Sequence, residues 1–243
     1  MAMITATVTP GTTPPSVTIV TTWDGGFAPN MGPVERVQDG VSTPVRGTEG
    51  LVTWVDLTIL DYECPQETPV TYTFAGATSP AVEMPDVGVW LIPAGRPELA
   101  AQLVVQTYPA WARPAQAWGV DIPGRPNPVV VSSTKRSSRR GSIVVLVRED
   151  LTDYATLDAC LEVTGPMLLS SPARHHPLEV RALWVVIGDV DEESFGPSSA
   201  MWWVFTLPLI RVDRPEVVAV ESGHRWVDQV GRWSAQVGTW SQQ

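Results

Sequence analysis

Most of the chain is patterned with a period of two, the spacing of a strand with one buried face. Residues 1–16 are rich in Thr and Pro and read as an extended N-terminal arm, because Pro supplies no ladder donor. Val17 to Thr22 then reads as a strand, and Trp23-Asp24-Gly25-Gly26 has the chemistry of a turn. Val34–Val37 and Val41–Arg46 flank Gln38-Asp39-Gly40, an Asp-Gly hairpin signal. A longer strand is expected over Leu51–Leu60 and a turn over Pro65–Thr68. Pro69–Phe74 alternates, with Val70, Tyr72 and Phe74 on one face. Val87–Pro93 carries another strand. Glu98–Thr107 is balanced between helix (Leu99-Ala100-Ala101) and strand (Val104-Val105), and Trp111 to Pro114 with Trp118 reads as an aromatic loop.

The stretch from Gly124 to Pro172 is the most specified. Val129–Ser132 and Ile143–Val147 flank Lys135, Arg136, Arg139 and Arg140, which predicts an extended hairpin with a cationic tip. The period changes only at Thr152–Val163, where Tyr154, Leu157 and Leu161 stand at i, i+3 and i+7 with Cys160 alongside, the stripe of an amphipathic helix. Asp150 or Thr152 can cap its start and Gly165-Pro166 stops it; a short strand follows. Leu178–Val190 reads as a strand ending in an acidic turn with Asp189, Asp191, Glu192 and Glu193. Met201–Val212 is so continuously apolar that burial on both faces is expected, with Pro208 marking an edge or bulge.

At the C-terminus RWVDQVG is followed by RWSAQVG and TW, so Trp226, Trp233 and Trp240 recur every seven residues. On a helix such a stripe drifts by only about 20° per repeat. Arg225 and Arg232 precede the first two Trp, and Gly231 and Gly238 lower helix propensity by about 1 kcal/mol each. The segment reads as a tail helix stable only when docked.

Composition turns this β pattern toward assembly. Charged residues make up 17% of the chain, against about 25% in a typical soluble domain, and eleven residues are Trp. Low charge with many aromatic anchors is the composition of interface cores; a well-packed β core explains the same Trp more plainly. The net charge of −10 argues against a general nucleic-acid binder. Cys64 and Cys160 have no metal-ligand spacing and read as free buried thiols. MAMITATVTP lacks the features of a secretory signal. The apolar run Ala200–Ile210 is too short to span a bilayer, so synthesis in a cytoplasm without membrane insertion is expected.

No catalytic motif stands out. His175-His176 has no Ser or Cys motif to partner it, and GxSxG, HExxH and P-loop patterns are missing. The acidic residues at 189–193 lack the DxDxDG loop of a calcium site and read as a hairpin tip. No catalytic residue, metal or cofactor is assigned. The candidate partner-binding residues are Lys135, Arg136, Arg139, Arg140, Trp226, Trp233 and Trp240. The cations read either as a solvated loop or as a docking tip for an acidic surface, and no aromatic residue interleaves them to stack bases. The Trp stripe reads as a packing face, with sugar binding the alternative.

Taken in order, Val34 to Gly40 (VERVQDG), Pro44 to Gly47 (PVRG), Asp61 to Pro65 (DYECP), Pro69 to Phe74 (PVTYTF), GRxxPVVV, SSRRGSIVVL and Ile210 to Pro215 (IRVDRP), followed by the Trp repeat, resemble the minor tail proteins of long-tailed, non-contractile (siphovirus-like) phages of actinobacteria, of the distal-tail type. The resemblance covers about Val34 to Trp240 and brings no catalytic residues. It implies a structural virion protein of the tail, an oligomeric and commonly hexameric ring joining the tail tube to the tip or baseplate. Its partners would be copies of itself, the tube protein, the tape measure protein and tail-tip hub proteins. The implied fold is mainly β: a tube-like β-sandwich ring domain over 85–220, with a packed helix near 152–163 and an extended hairpin, plus an immunoglobulin- or galectin-like β-sandwich over 17–84. The Trp-repeat tail occupies 221–243. The alternative is a carbohydrate-binding receptor-attachment module of the tail tip.

Overall fold

The computed structural model describes residues 2–23, 32–48, 57–114, 117–120, 129–132, 138–148, 153–172, 182–196 and 202–215. Over these the chain is mainly β with one α-helix. The N-terminal part holds β1 (Ala2–Thr9), β2 (Ser16–Trp23), β3 (Glu35–Gln38), β4 (Val41–Pro44), β5 (Leu57–Asp61), β6 (Pro69–Phe74), β7 (Ala77–Thr78) and β8 (Val82–Glu83). One sheet runs β1-β2-β5; the other runs β4-β3-β6-β7, with β8 also on β6. Both bury side chains in one core: Ile4, Val17 and Ile19 from the first sheet, and Val70, Tyr72 and Phe74 from the second. The alternation of β6 is as expected. The β3–β4 turn places Asp39 at φ 50° and Gly40 at φ 76°, the left-handed pair that Asp-Gly favours.

Residues 2–9 correct the expected extended arm. They form β1, paired with β2 through eight antiparallel residue pairs. Ala2 and Ile4 are buried while Met3, Thr5 and Thr7 are exposed. Pro10, Pro14 and Pro15, which argued against a strand, lie between β1 and β2, where no ladder donor is needed.

The second part holds β9 (Val89–Pro93), a 3-10 turn (Pro97–Leu99), β10 (Ala101–Thr107), β11 (Ala117–Val120), β12 (Val129–Ser132), β13 (Arg140–Arg148), α1 (Asp153–Leu161), β14 (Met167–Ser170), β15 (Ala182–Ile187), β16 (Asp191–Phe195) and β17 (Trp202–Arg211). The ambiguous 98–107 segment thus divides into a helical turn and a strand. Six strands follow one another as β13-β10-β9-β14-β15-β17, and pairing of β13 with β17 closes them into a barrel. Closure removes the open edges a flat sheet would carry. Inward-facing Leu91, Leu103, Val145, Met167, Val185, Phe205 and Leu207 form its core, joined by Leu157 and Cys160 of α1. Tyr154 packs on Trp203 and Phe205 with ring centroids 5.2 and 5.7 Å away. The helical stripe is therefore the packed face, as its spacing predicts.

The expected hairpin of Val129–Val147 does not form. β12 pairs with β11, through Ala117↔Ser132 to Val120↔Val129, and β13 pairs with β10 and β17. Trp118 accordingly belongs to a strand, not to a loop. Two apolar runs flanking a polar stretch give no information on which neighbour each will choose, and the long β17 offers β13 nine residue pairs.

Burial on both faces belongs to β14, not to β17. All four residues of β14 are buried, because one face looks into the barrel and the other lies beneath the N-terminal part. β17 instead alternates between a buried and a half-exposed face. Pro208 sits inside this strand without breaking it. Its carbonyl accepts from Gly188 N at 2.9 Å, so its donorless nitrogen points to the same side. That is where β16 stops pairing, at Thr206, and β15 starts, at Leu209.

Candidate functional site

Five of the seven motif segments that carry the family resemblance meet at one place, the junction between the two parts. Asp61, at the end of β5, is its centre. Its Oδ2 accepts from Arg36 Nη1 at 2.8 Å and from Tyr72 Oη at 2.9 Å, and its Oδ1 accepts from Arg36 Nη1 at 3.0 Å and from Glu63 N at 2.9 Å. Glu63 Oε2 in turn lies 2.9 Å from Arg214 Nη2, just beyond the barrel's last strand, and 4.0 Å from Arg36 Nη2. Arg214 also donates to the Pro44 carbonyl at 2.9 Å. The Arg46 guanidinium stands 4.9 Å from the centre of the Trp184 ring on β15, a cation–π distance. VERVQDG, PVRG, DYECP, PVTYTF and IRVDRP thus supply Arg36, Arg46, Asp61 with Glu63, Tyr72 and Arg214.

Beside these charges, Gln66 bridges the two parts. Its Nε2 donates to Gly88 O at 2.9 Å and to Ser170 Oγ at 3.2 Å, and its Oε1 accepts from Val87 N at 3.0 Å. Ile92, Leu168 and Trp184 stand in register on the barrel's outer wall and pack with Tyr62 and Trp90. The gap lined by Pro15, Tyr62, Gln66, Trp90 and Ser170 amounts to about 10 Å³, no more than one water needs. This junction fixes two bodies together, and among the described residues this gap is too small for a ligand.

Burial sets the electrostatics. Desolvation opposes the Arg36 charge, but the adjacent Asp61, by charge and hydrogen bond, outweighs it and raises the pKa. Desolvation lifts the Glu63 carboxyl above its ordinary value, with Arg214 pulling the other way and Asp61 adding to the rise. Among the described residues Glu63 Oε1 has no hydrogen-bond donor, which leaves its charged form poorly compensated. Burial, then the Asp61 charge, raises the Tyr72 phenol, so it stays a donor. Cys64 and Cys160 are free and buried, each pushed up to about 12 chiefly by desolvation.

Of the expected partner-binding residues, Arg139 and Arg140 are described. Arg140 begins β13 and Arg139 directly precedes it, and neither is at a free tip. Arg139 O accepts from Arg211 N at 2.9 Å, and Arg140 exchanges two 2.8 Å backbone bonds with Ala112. Arg140 is exposed and Arg139 half-buried. Lys135, Arg136, Trp226, Trp233 and Trp240 lie outside the described residues, as do His175-His176 and the turn at 24–26.

The acidic run expected as a turn is strand β16, pairing Asp191–Phe195 with Trp202–Thr206. All five of its residues are exposed. Among the described residues β16 pairs only with β17, so it is a charged edge strand. No group of three or more His, Cys, Asp or Glu among the described residues could hold a metal. None of the helices described is long and apolar enough to cross a membrane.

Comparison of the chain with protein-family models and with curated proteins gives no match. The junction residues were invisible as a site in the sequence, because each is a lone polar residue in a strand or a turn. The signal available was the order of the motif segments, which says nothing of their meeting in space.

Proposed function

We propose that this protein is a structural component of a phage tail: an oligomeric ring, on the family pattern a hexamer, joining the tail tube to the tip or baseplate. The barrel with α1 is its ring domain, corresponding to the tube-like sandwich of the family, and the N-terminal part is its peripheral immunoglobulin- or galectin-like module. It makes and breaks no bonds, and its partners are copies of itself and the tube, tape measure and tip proteins of the virion.

One observation carries this reading. The same barrel bears opposite charges at two different places: Arg139 and Arg140 at the foot of β13, and Asp191, Glu192 and Glu193 on the β16 edge. β13 and β16 flank β17 on opposite sides. A contact between unlike patches is heterologous, and heterologous contacts that close by rotation make rings. The meeting of five of the seven motif segments around the Asp61 network gives further support, because it gives that part of the resemblance a common physical role.

Mass photometry tests it. Exposed ion pairs contribute about 0.2–1 kcal/mol each, and like charges repel by similar amounts. Reversal at Arg139→Glu and Arg140→Glu therefore weakens each contact about tenfold or more, and a ring compounds that loss over every interface. The double variant is expected to fall to smaller species at physiological salt, and a second reversal, Glu192→Arg with Glu193→Arg, to restore the ring. Assembly indifferent to the first pair of changes overturns the docking role of these charges.

A further inference from the structure

Among the described residues the barrel shows two apolar rows on its outer wall. Ile92, Leu168 and Trp184 form the first, covered by the N-terminal part. The second is also in register: Val104 of β10 opposite Leu146 of β13, Leu146 opposite Val204 of β17, and Val204 opposite Glu193 of β16. Val104 is 61% exposed, and Leu146 and Val204 are half-exposed. One row along, Phe195 is 51% exposed and lies opposite Trp202. An apolar strip spanning adjacent strands on a barrel's outside marks a surface that meets something. α1 does not cover it, since Leu157 and Cys160 join the inward cluster.

The strip's rim chooses the occupant. At its β16 side stand Asp191, Glu192 and Glu193, all exposed. The complementary segment is apolar, aromatic and locally cationic. Residues 221–243 of this chain repeat Arg-Trp twice at a spacing of seven, Arg225-Trp226 and Arg232-Trp233, and add Trp240. We propose that this C-terminal segment of the same chain seats on the Val104–Leu146–Val204 strip, with Trp226 and Trp233 on the apolar row and Arg225 and Arg232 toward the acidic edge.

Spacing and reach agree with this. Tryptophans seven residues apart on the expected helix are separated by about 10.5 Å. Val104 and Val204 lie two inter-strand steps apart, about 9.6 Å. The described chain ends at Pro215, anchored through Arg214. Eleven extended residues from Pro215 to Trp226 span up to about 36 Å, whereas the seven residues of β17 from Arg211 back to Val204 cover about 23 Å. The segment can reach the strip without help from another copy.

Hydrogen exchange read by mass spectrometry on the full-length protein tests the seat. In the Trp226→Ala, Trp233→Ala, Trp240→Ala variant, amides of β16 are expected to exchange about tenfold faster than in the wild type, while those of β14 stay unchanged and report an intact barrel. The reciprocal variant, Val104→Asp with Phe195→Asp, is expected to speed exchange within 221–243. Unchanged exchange in either variant overturns the proposal. Protection of β16 that disappears on dilution also overturns it, because the occupant would then be the tail of a second copy. Both ideas draw on the acidic edge of β16, but the exchange assay changes the tryptophans and the ring assay first changes Arg139 and Arg140, so either can fail without the other.

Discussion

Removing one oxygen from Tyr72 measures how far the buried network holds the N-terminal part together. The Tyr72 side chain is fully buried, and its hydroxyl donates to Asp61 Oδ2 at 2.9 Å. Phe in its place keeps the packing of the ring and deletes one hydrogen bond to a carboxylate, a class worth about 1.5–3 kcal/mol. Asp61 Oδ2 keeps Arg36 as a donor at 2.8 Å, which puts the expected loss near the lower end, about 1.5–2 kcal/mol. At about 2–4 °C per kcal/mol for a chain of this size, Tm falls by about 3–8 °C. Asp61→Ala is a different perturbation. It leaves the Arg36 guanidinium buried without its carboxylate and strips the acceptor from Tyr72 and from Glu63 N, so about 3–5 kcal/mol is expected. Urea denaturation gives both numbers, as shifts of the midpoint at constant slope. A Tyr72→Phe loss below about 0.5 kcal/mol, or an Asp61→Ala loss no larger than that of Tyr72→Phe, refutes the view that Asp61 is the centre on which these groups depend.

The raised Glu63 pKa predicts a pH dependence. The folded state binds this proton more tightly than the unfolded state, so the contribution of Glu63 to stability is fullest below its ordinary value of 4.5 and is lost as pH rises through the raised folded value. The wild type should therefore gain stability relative to Glu63→Gln as pH is lowered from neutrality toward that value; a difference that is flat or grows with pH contradicts it. Pro208→Ala should change the denaturation midpoint by less than about 1 kcal/mol, because the restored N–H faces the break between β15 and β16, where no ladder bond was missing. Cys64 and Cys160, buried and held near 12, should resist thiol reagents in the native protein at mildly alkaline pH, and their labelling should follow unfolding. Rapid modification of either in the folded chain runs against their placement.

Local patterns were readable where the physics is local. Asp39-Gly40 supplied the two positive φ values of a tight hairpin, β6 showed its buried face as Val70, Tyr72 and Phe74, and α1 showed its packed stripe at helical spacing. Choices made between distant segments were not readable. Val129–Ser132 took Ala117–Val120 as its partner, a preference that exists only once β10 and β17 have claimed β13. β16 was missed as a strand because both its faces are exposed and it carries no apolar alternation. In β1 the alternation of Ala2, Ile4, Ala6 and Val8 was present, but the neighbouring prolines outweighed it. The Asp61 network joins residues from Arg36 to Arg214, and a charge in a sequence does not declare its counter-ion.

The placement of Arg214 has a mechanical consequence. Tension applied at the end of the chain reaches this residue before β17. Its guanidinium is tied to Glu63 and to the Pro44 carbonyl in the other half of the molecule. The load therefore divides: part runs along the final strand, and part is drawn off sideways into the N-terminal sheets. Peeling β17 from β13 would first require wrenching that half-buried side chain from both partners, so a tug from outside is felt by both halves together.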